Sequence, residues 1–222
     1  MKRSIWMAIS LIWILAGVAQ ASDDVQYWQR LTLKTWQQDP WNLSTTGEFR
    51  AVDDVSDASY YQLTQRLGYK WIEPWELGIA YTYLSQETKV GLREVFKDQN
   101  RLELEASHRW KPAEWMEIKN RGRVEFRWIE DRGSDNSRYR HLWELVFPVK
   151  NVSPMRAVYV NTELFYDFNR ERPVEYRSTP IGIDLKLSEK AGLKVFYMIQ
   201  STRGTNDWAS NQVIGTHVTW SW

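Results

Sequence analysis

The chain has 222 residues, 29 Lys plus Arg against 28 Asp plus Glu, and no cysteine. The near-neutral balance excludes a strongly basic nucleic-acid-binding surface, and the missing thiols exclude a disulfide framework, a cysteine nucleophile and a thiolate metal site. With 14% aromatic and 26% charged residues at a mean hydropathy of −0.57, the fold must hold large apolar surfaces and many charges apart.

At the N-terminus, Lys2 and Arg3 precede an apolar run from Ile5 to Val18 and the small-x-small triplet Ala19-Gln20-Ala21. This pattern predicts a signal peptide over residues 1–21, cleaved after Ala21, with export through the Sec route. The run is shorter than the roughly 20 apolar residues of a membrane-spanning helix, and no later stretch approaches 18. Residues 22–222 then form a single domain.

From residue 25 onward the pattern is a two-residue alternation, which places apolar side chains on one face and polar ones on the other. It predicts strands at 25–36, 42–52 and 59–71, the last with Tyr61, Leu63, Leu67, Tyr69 and Trp71 opposed to Tyr60, Gln62, Thr64, Arg66 and Lys70. The next strands are 75–86 (Trp75, Leu77, Ile79, Tyr81, Tyr83 apolar) and 100–111 (Leu102, Leu104, Ala106, His108, Trp110). Strand 115–130 sets Ile118, Val124, Phe126 and Trp128 against Glu117, Lys119, Arg121, Arg123, Glu125 and Arg127. Strands at 138–149, 155–169, 177–188, 192–203 and 210–222 complete the series. The last alternates through Ile214, Val218, Trp220 and Trp222 to the final residue. Most are long enough to cross a bilayer as tilted strands of about 9–11 residues.

The connections fall into two alternating sorts. Those at 37–40, 72–74, 111–114, 150–154 and 188–192 are tight, whereas those at 53–58, 86–99, 131–137, 169–176 and 204–209 are longer and rich in charge, Gly, Asn and Ser. Short periplasmic turns with longer extracellular loops are the pattern of a bacterial outer-membrane barrel. Tryptophans bracket three of the tight turns: Trp36 and Trp41, Trp71 and Trp75, Trp110 and Trp115. Indole is most stable at the headgroup level, where its ring meets acyl chains and its N–H meets water, so these residues with Trp220 and Trp222 form a predicted membrane-interface girdle.

The fold expected is all-β: a transmembrane, antiparallel, up-and-down β-barrel in the cell outer membrane. Single-chain bacterial barrels have even strand numbers, so the eleven segments are read as about ten strands, with twelve as the alternative. Segment 25–36 is then an extra N-terminal strand or a luminal segment.

The stretches "YVNTELFYDF" (Tyr159 to Phe168), "NRLELEASHRW" (Asn100 to Trp110) and the opening "YWQRLTLK" carry a family resemblance. The chain resembles the bacterial outer-membrane barrel family named domain of unknown function 2490, along essentially its whole length after residue 21. That resemblance implies an outer-membrane barrel and transfers no activity or catalytic residue.

The inward register gives the candidate lumen-lining residues: Arg50, Arg66, Glu103, Glu105, Arg109, Glu117, Lys119, Arg121, Arg123, Glu125, Arg127, Arg140, Glu163, Asp184 and His217, with Arg138 and Glu144 beside them. Two functions fit. An arginine-rich wall favours small anionic solutes in a narrow channel. Alternatively, cross-strand ion pairs close the lumen of a structural or surface-interaction barrel. A barrel hydrolase is a third reading, and it finds little support. There is no G-x-S-x-G or H-E-x-x-H, and His108, His141 and His217 are scattered, with His141 read as beginning a strand near the loops. No cofactor or metal is expected. Expected partners are outer-membrane lipid, periplasmic chaperones, and the barrel-assembly machinery reached through the C-terminal strand. No nucleic acid is expected, and the solute is open.

Overall fold

The computed structural model describes residues 24–90, 93–131, 133–205 and 207–222. Among them the chain forms eleven strands: β1 (Val25–Gln38), β2 (Trp41–Val52), β3 (Asp57–Ile72), β4 (Trp75–Val90), β5 (Arg93–Ala113), β6 (Met116–Ile129), β7 (Gly133–Pro148), β8 (Met155–Asp167), β9 (Arg172–Lys186), β10 (Ala191–Arg203) and β11 (Trp208–Ser221). Their lengths, from 12 residues in β2 to 21 in β5, far exceed the roughly 5–6 residues of ordinary strands. The predicted signal peptide lies outside the described residues.

Each strand pairs antiparallel with its sequence neighbours. β1 also pairs with β11, in parallel, from Val25↔Gln212 to Lys34↔Ser221, and the sheet closes. Closure leaves no unpaired edge. The side-chain distribution is the inverse of a water-soluble fold. Glu125 and Phe165 are fully enclosed by the barrel, while Leu63, Ile181 and Ile214 stand 57%, 51% and 51% exposed on its outer face.

The number of strands corrects the sequence expectation of ten or twelve. In an up-and-down barrel an odd count makes the first and last strands run the same way, so the seam must be parallel, and parallel pairing is slightly weaker per residue. Here the seam is pinned from both faces. Inside, Trp28 packs against Met198 and Val213, with Phe196 beside them. Trp28 lies opposite Gly215, where a Cβ would fall within the Phe196 ring. The hydroxyl of Thr32 is 2.8 Å from His217 Nε2, and the Tyr27 and Thr216 hydroxyls are 2.8 Å apart. At a strand spacing of about 4.8 Å and a tilt of about 40°, eleven strands set a backbone radius of about 11 Å, where ten would give about 10 Å. The larger ring admits the arginines described below. Segment 25–36 is therefore neither luminal nor appended; it is the closing strand.

The connections correct a second expectation. The sequence predicts a long loop over the charged stretch 86–99, but β4 runs to Val90 and β5 starts at Arg93. Charge alone does not break a ladder, because an exposed hairpin can carry polar side chains on both faces. Ser85 Oγ donates to Asp98 at 2.8 Å, and Lys97 reaches Asp131 at 3.0 Å in the next hairpin. Connections at the two ends are consequently of similar size. The end carrying the β1–β2, β3–β4, β5–β6, β7–β8 and β9–β10 connections is called the turn side, and the opposite end the loop side. Because β1 starts at the loop side, Asp24 lies there, and its Oδ1 accepts from the Asp54 N–H at 2.9 Å. Ser221 ends β11 at the turn side.

Candidate functional site

Alternation turns one face of every strand inward, so a sequence with arginine and glutamate at every second position builds a charged interior. The site begins at mid-height with β6, whose Glu117, Lys119, Arg121, Arg123, Glu125 and Arg127 share one face. Arg123 donates to Glu105 at 2.8 Å and contacts Glu103 at 2.6 Å. Arg121 reaches Glu163 at 3.1 Å and stands 3.9 Å from Glu105. Arg66, on β3, completes the cage around Glu105 at 2.6 Å and also holds Glu76 at 2.7 Å. Its guanidinium occupies a slot that exists because Gly68 and Gly78, partners across β3 and β4, have no side chain. A Cβ at Gly68 would stand 2.5 Å from Arg66 Nη1.

On the other side of β6, Glu125 joins Arg138 at 2.7 Å and Arg140 at 2.9 Å, and Arg140 passes on to Glu163 at 3.0 Å. Arg138 is 3.6 Å from Glu175, which holds Arg177 at 2.6 Å. Glu48, on β2, holds Arg30 and Arg50, and this group meets the rest of the lattice at Trp28, which lies against both Arg50 and Arg177. Three aromatic rings serve as its floor. Phe165 lies under Arg138, Arg140 and Arg177 at 4.8, 4.6 and 4.6 Å, Trp28 under Arg50 at 3.7 Å and Arg177 at 4.8 Å, and Tyr60 under Arg50 at 3.9 Å. Stacking on a ring face leaves the in-plane N–H donors free for carboxylates, a geometry that arginine allows and lysine does not.

Within this lattice lies a cavity of about 370 Å³. Nine arginines line it: Arg30, Arg50, Arg66, Arg101, Arg121, Arg123, Arg138, Arg140 and Arg177. Eight of them share seven glutamates: Glu48, Glu76, Glu103, Glu105, Glu125, Glu163 and Glu175. Arg101 has no carboxylate within ion-pairing distance among the described residues. The wall is thus net positive.

Other sequence-derived candidates sit around this centre. Arg127 pairs with Asp167 at 3.0 Å toward the loop side. Toward the turn side Glu144 holds Lys119 at 3.2 Å and Lys194 at 3.6 Å, and Lys194 lies over Tyr159. Glu117 pairs with Arg109 at 3.2 Å at that rim, where Arg109 is largely exposed, and Asp184 is held by Arg156. His217 faces inward beside Thr32, as noted. His108 faces out, its ring 4.7 Å from Trp75. His141 corrects its expected place at the start of a strand. It lies in the middle of β7 because that strand begins at Gly133, and it faces out against Trp143 with Nδ1 2.7 Å from the Tyr139 hydroxyl.

Sequence reasoning passed over Arg30, Glu48, Glu76, Arg101, Glu175 and Arg177, and the rings of Trp28 and Phe165. The register would have found them. Arg101 is in phase with Glu103 and Glu105, Trp28 with Arg30, and Phe165 with Glu163 and Asp167. Reading apolar residues as outward by type hid the two rings.

The outer face carries the described tryptophans other than Trp28. Trp36, Trp41, Trp71, Trp75, Trp110 and Trp115 are exposed at the turn side, together with Trp220 and Trp222. Tyr83, Phe96, Trp128, Phe168 and Trp208 form a second exposed aromatic row toward the loop side. Among the described residues no group of three His, Cys, Asp or Glu side chains is placed to hold a metal ion.

Among solved structures, the chain is similar to the beta domain of the Bordetella autotransporter Brka, with a TM-score of 0.50 at 9% identity over 80% of this chain and 82% of that one. It also matches an anion-selective porin from Comamonas acidovorans (TM-score 0.38, 14% identity, 82% of this chain, 54% of the porin) and a bacterial polysaccharide outer membrane secretin (TM-score 0.43, 8% identity, 82% and 74%). At such identities the autotransporter likeness speaks to the fold, a closed β-barrel. No curated protein sequence matches. A family model described as "Protein of unknown function (DUF2490)" matches residues 25–211. With that match spanning the barrel from the start of β1 into β11, the chain belongs to the DUF2490 family.

Proposed function

We propose that the protein is an outer-membrane β-barrel whose arginine-lined lumen passes small anions. The membrane reading is supported by the exposed belt of Leu63, Ile79, Leu104, Ile181 and Ile214, an apolar surface that water would not tolerate. Aromatic rows bound the belt on both sides, at the levels where headgroups would lie. With β11 read as descending to the periplasm, the turn side, where Ser221 ends that strand, is periplasmic and the loop side faces outward. Export by the Sec route, escort by periplasmic chaperones and insertion by the assembly machinery through β11 follow from that placement.

The observation that carries the anion reading is the charge of the lattice around the cavity, nine arginines against seven glutamates. In a low-dielectric surround a small excess of positive charge lowers the barrier for anions and raises it for cations. The full burial of Phe165 and Glu125 favours a second reading, in which the same lattice closes the lumen and the barrel is structural. Neither reading uses a catalytic group, and the three histidines stand apart from one another. Planar-bilayer recording separates the two. Purified protein in a potassium chloride gradient is expected to give small conductance steps with an anion-selective reversal potential. Folded protein that gives no steps leaves the closed barrel.

A further inference from the structure

We infer that the lumen contains a binding site for a small tetrahedral oxyanion of the phosphate type, centred on Arg101. Arg101 and Gln99 are each 7% exposed and lie two residues apart on β5, so both side chains turn to the same interior face. Arg101 Nη2 makes one long hydrogen bond, 3.3 Å to Gln99 Oε1. Arg101 Nε and Gln99 Nε2 are buried donors with no acceptor. Two unsatisfied buried donors on one face, one of them on a guanidinium with no carboxylate within ion-pairing distance, are the complement of an anion.

The nearby carboxylates face other arginines. Glu103 is taken by Arg123 at 2.6 Å, and Glu125 by Arg138 at 2.7 Å and Arg140 at 2.9 Å. Neither acid stands within ion-pairing distance of Arg101 among the described residues. Arg101 also lines the 370 Å³ cavity, which has room for a phosphate-sized solute. A guanidinium fork with an amide beside it offers several N–H groups in different directions, which suits an oxyanion with several acceptor oxygens better than a single halide.

The proposal rests on the lumen reading above for how the anion arrives, and its test is independent of conductance. Full-length folded protein in detergent is melted in inorganic phosphate and in chloride at equal ionic strength. Phosphate at ten times its dissociation constant is expected to raise the melting temperature by about 4 °C. Arg101→Gln is expected to lose that rise while melting no lower than wild type in chloride, because it removes an unpaired buried charge. A structural arginine would behave oppositely. Should Arg101→Gln fail to fold, Gln99→Leu, which removes one donor, is expected to weaken phosphate binding about tenfold. Line broadening of the phosphorus resonance of free phosphate measures that binding directly. Equal melting of wild type in the two salts, or an undiminished shift in either variant, overturns the site. Binding without conductance removes the channel and keeps the site; conductance without binding does the reverse.

Discussion

Arg140 grips Glu163 with a forked contact: Nη2 lies 3.0 Å from both carboxylate oxygens, and Nε donates to Oε1 at 3.2 Å. Arg140 also donates to Glu125 at 2.9 Å, so one guanidinium from β7 ties β6 to β8. Arg140→Ala would leave two buried acids short of a partner, and loss of one member of a buried pair costs about 3–5 kcal/mol. Urea unfolding in lipid vesicles, followed by tryptophan fluorescence, is expected to show a fall of that order. A double-mutant cycle with Glu163→Ala should return a coupling energy of about 1–3 kcal/mol. A fully additive cycle would mean that the fork carries no energy.

The parallel seam depends on the missing side chain at Gly215, since a Cβ there would overlap the Phe196 ring. Gly215→Ala is expected to destabilise the barrel by about 1–3 kcal/mol through overpacking. Adding Phe196→Leu should recover part of the loss. The check is the denaturant midpoint of the two variants, and identical midpoints would show that the seam tolerates the bulk.

Strand parity fixes topology. With β1 and β11 running the same way, Asp24 shares a side with the β2–β3 connection, opposite Glu73 and Glu189. The chain has no native cysteine, so single cysteines report cleanly. In intact cells a membrane-impermeant maleimide is expected to label Asp24→Cys and Val55→Cys, and to reach Glu73→Cys and Glu189→Cys only after the outer membrane is opened. Labelling of position 24 with the turn-side set would contradict the eleven-strand closure.

Trp222 follows the end of β11 and is 76% exposed, so the folded barrel gains little packing from it. Trp222→Ala is expected to leave stability after refolding within about 0.5 kcal/mol of wild type. In cells it should lower the amount of heat-modifiable, assembled barrel several-fold if β11 is read by the assembly machinery as proposed above. Equal loss in both settings would make its role structural.

Arg121 lines the cavity and contacts Glu163, while Glu163 keeps Arg140. Arg121→Gln therefore removes wall charge without orphaning an acid. Bilayer recording is expected to show reduced anion selectivity with the barrel still folded, and unchanged selectivity would move the filter elsewhere in the lumen.

Much of this barrel is legible in one dimension because a strand's alternation is local. The outward set around Trp71, Trp75, Leu77 and Ile79, and the inward phase of Arg121, Arg123 and Glu125, each follow from residues two apart in the chain, and side-chain direction in a strand depends on nothing further. Three features are decided only by the closed sheet. The strand count depends on which edge β1 meets, a pairing between residues such as Trp28 and Gly215 that lie at opposite ends of the sequence. Whether 86–99 loops or continues as a hairpin depends on partners like Asp98 and Glu130 in adjacent hairpins, since charge permits either. The unpaired state of Arg101 depends on where Glu103 and Glu125 turn, and those carboxylates are claimed by arginines from β6 and β7. Electrostatic partner choice inside a barrel is settled across its width, where competing donors meet, and no pattern along a single strand contains it.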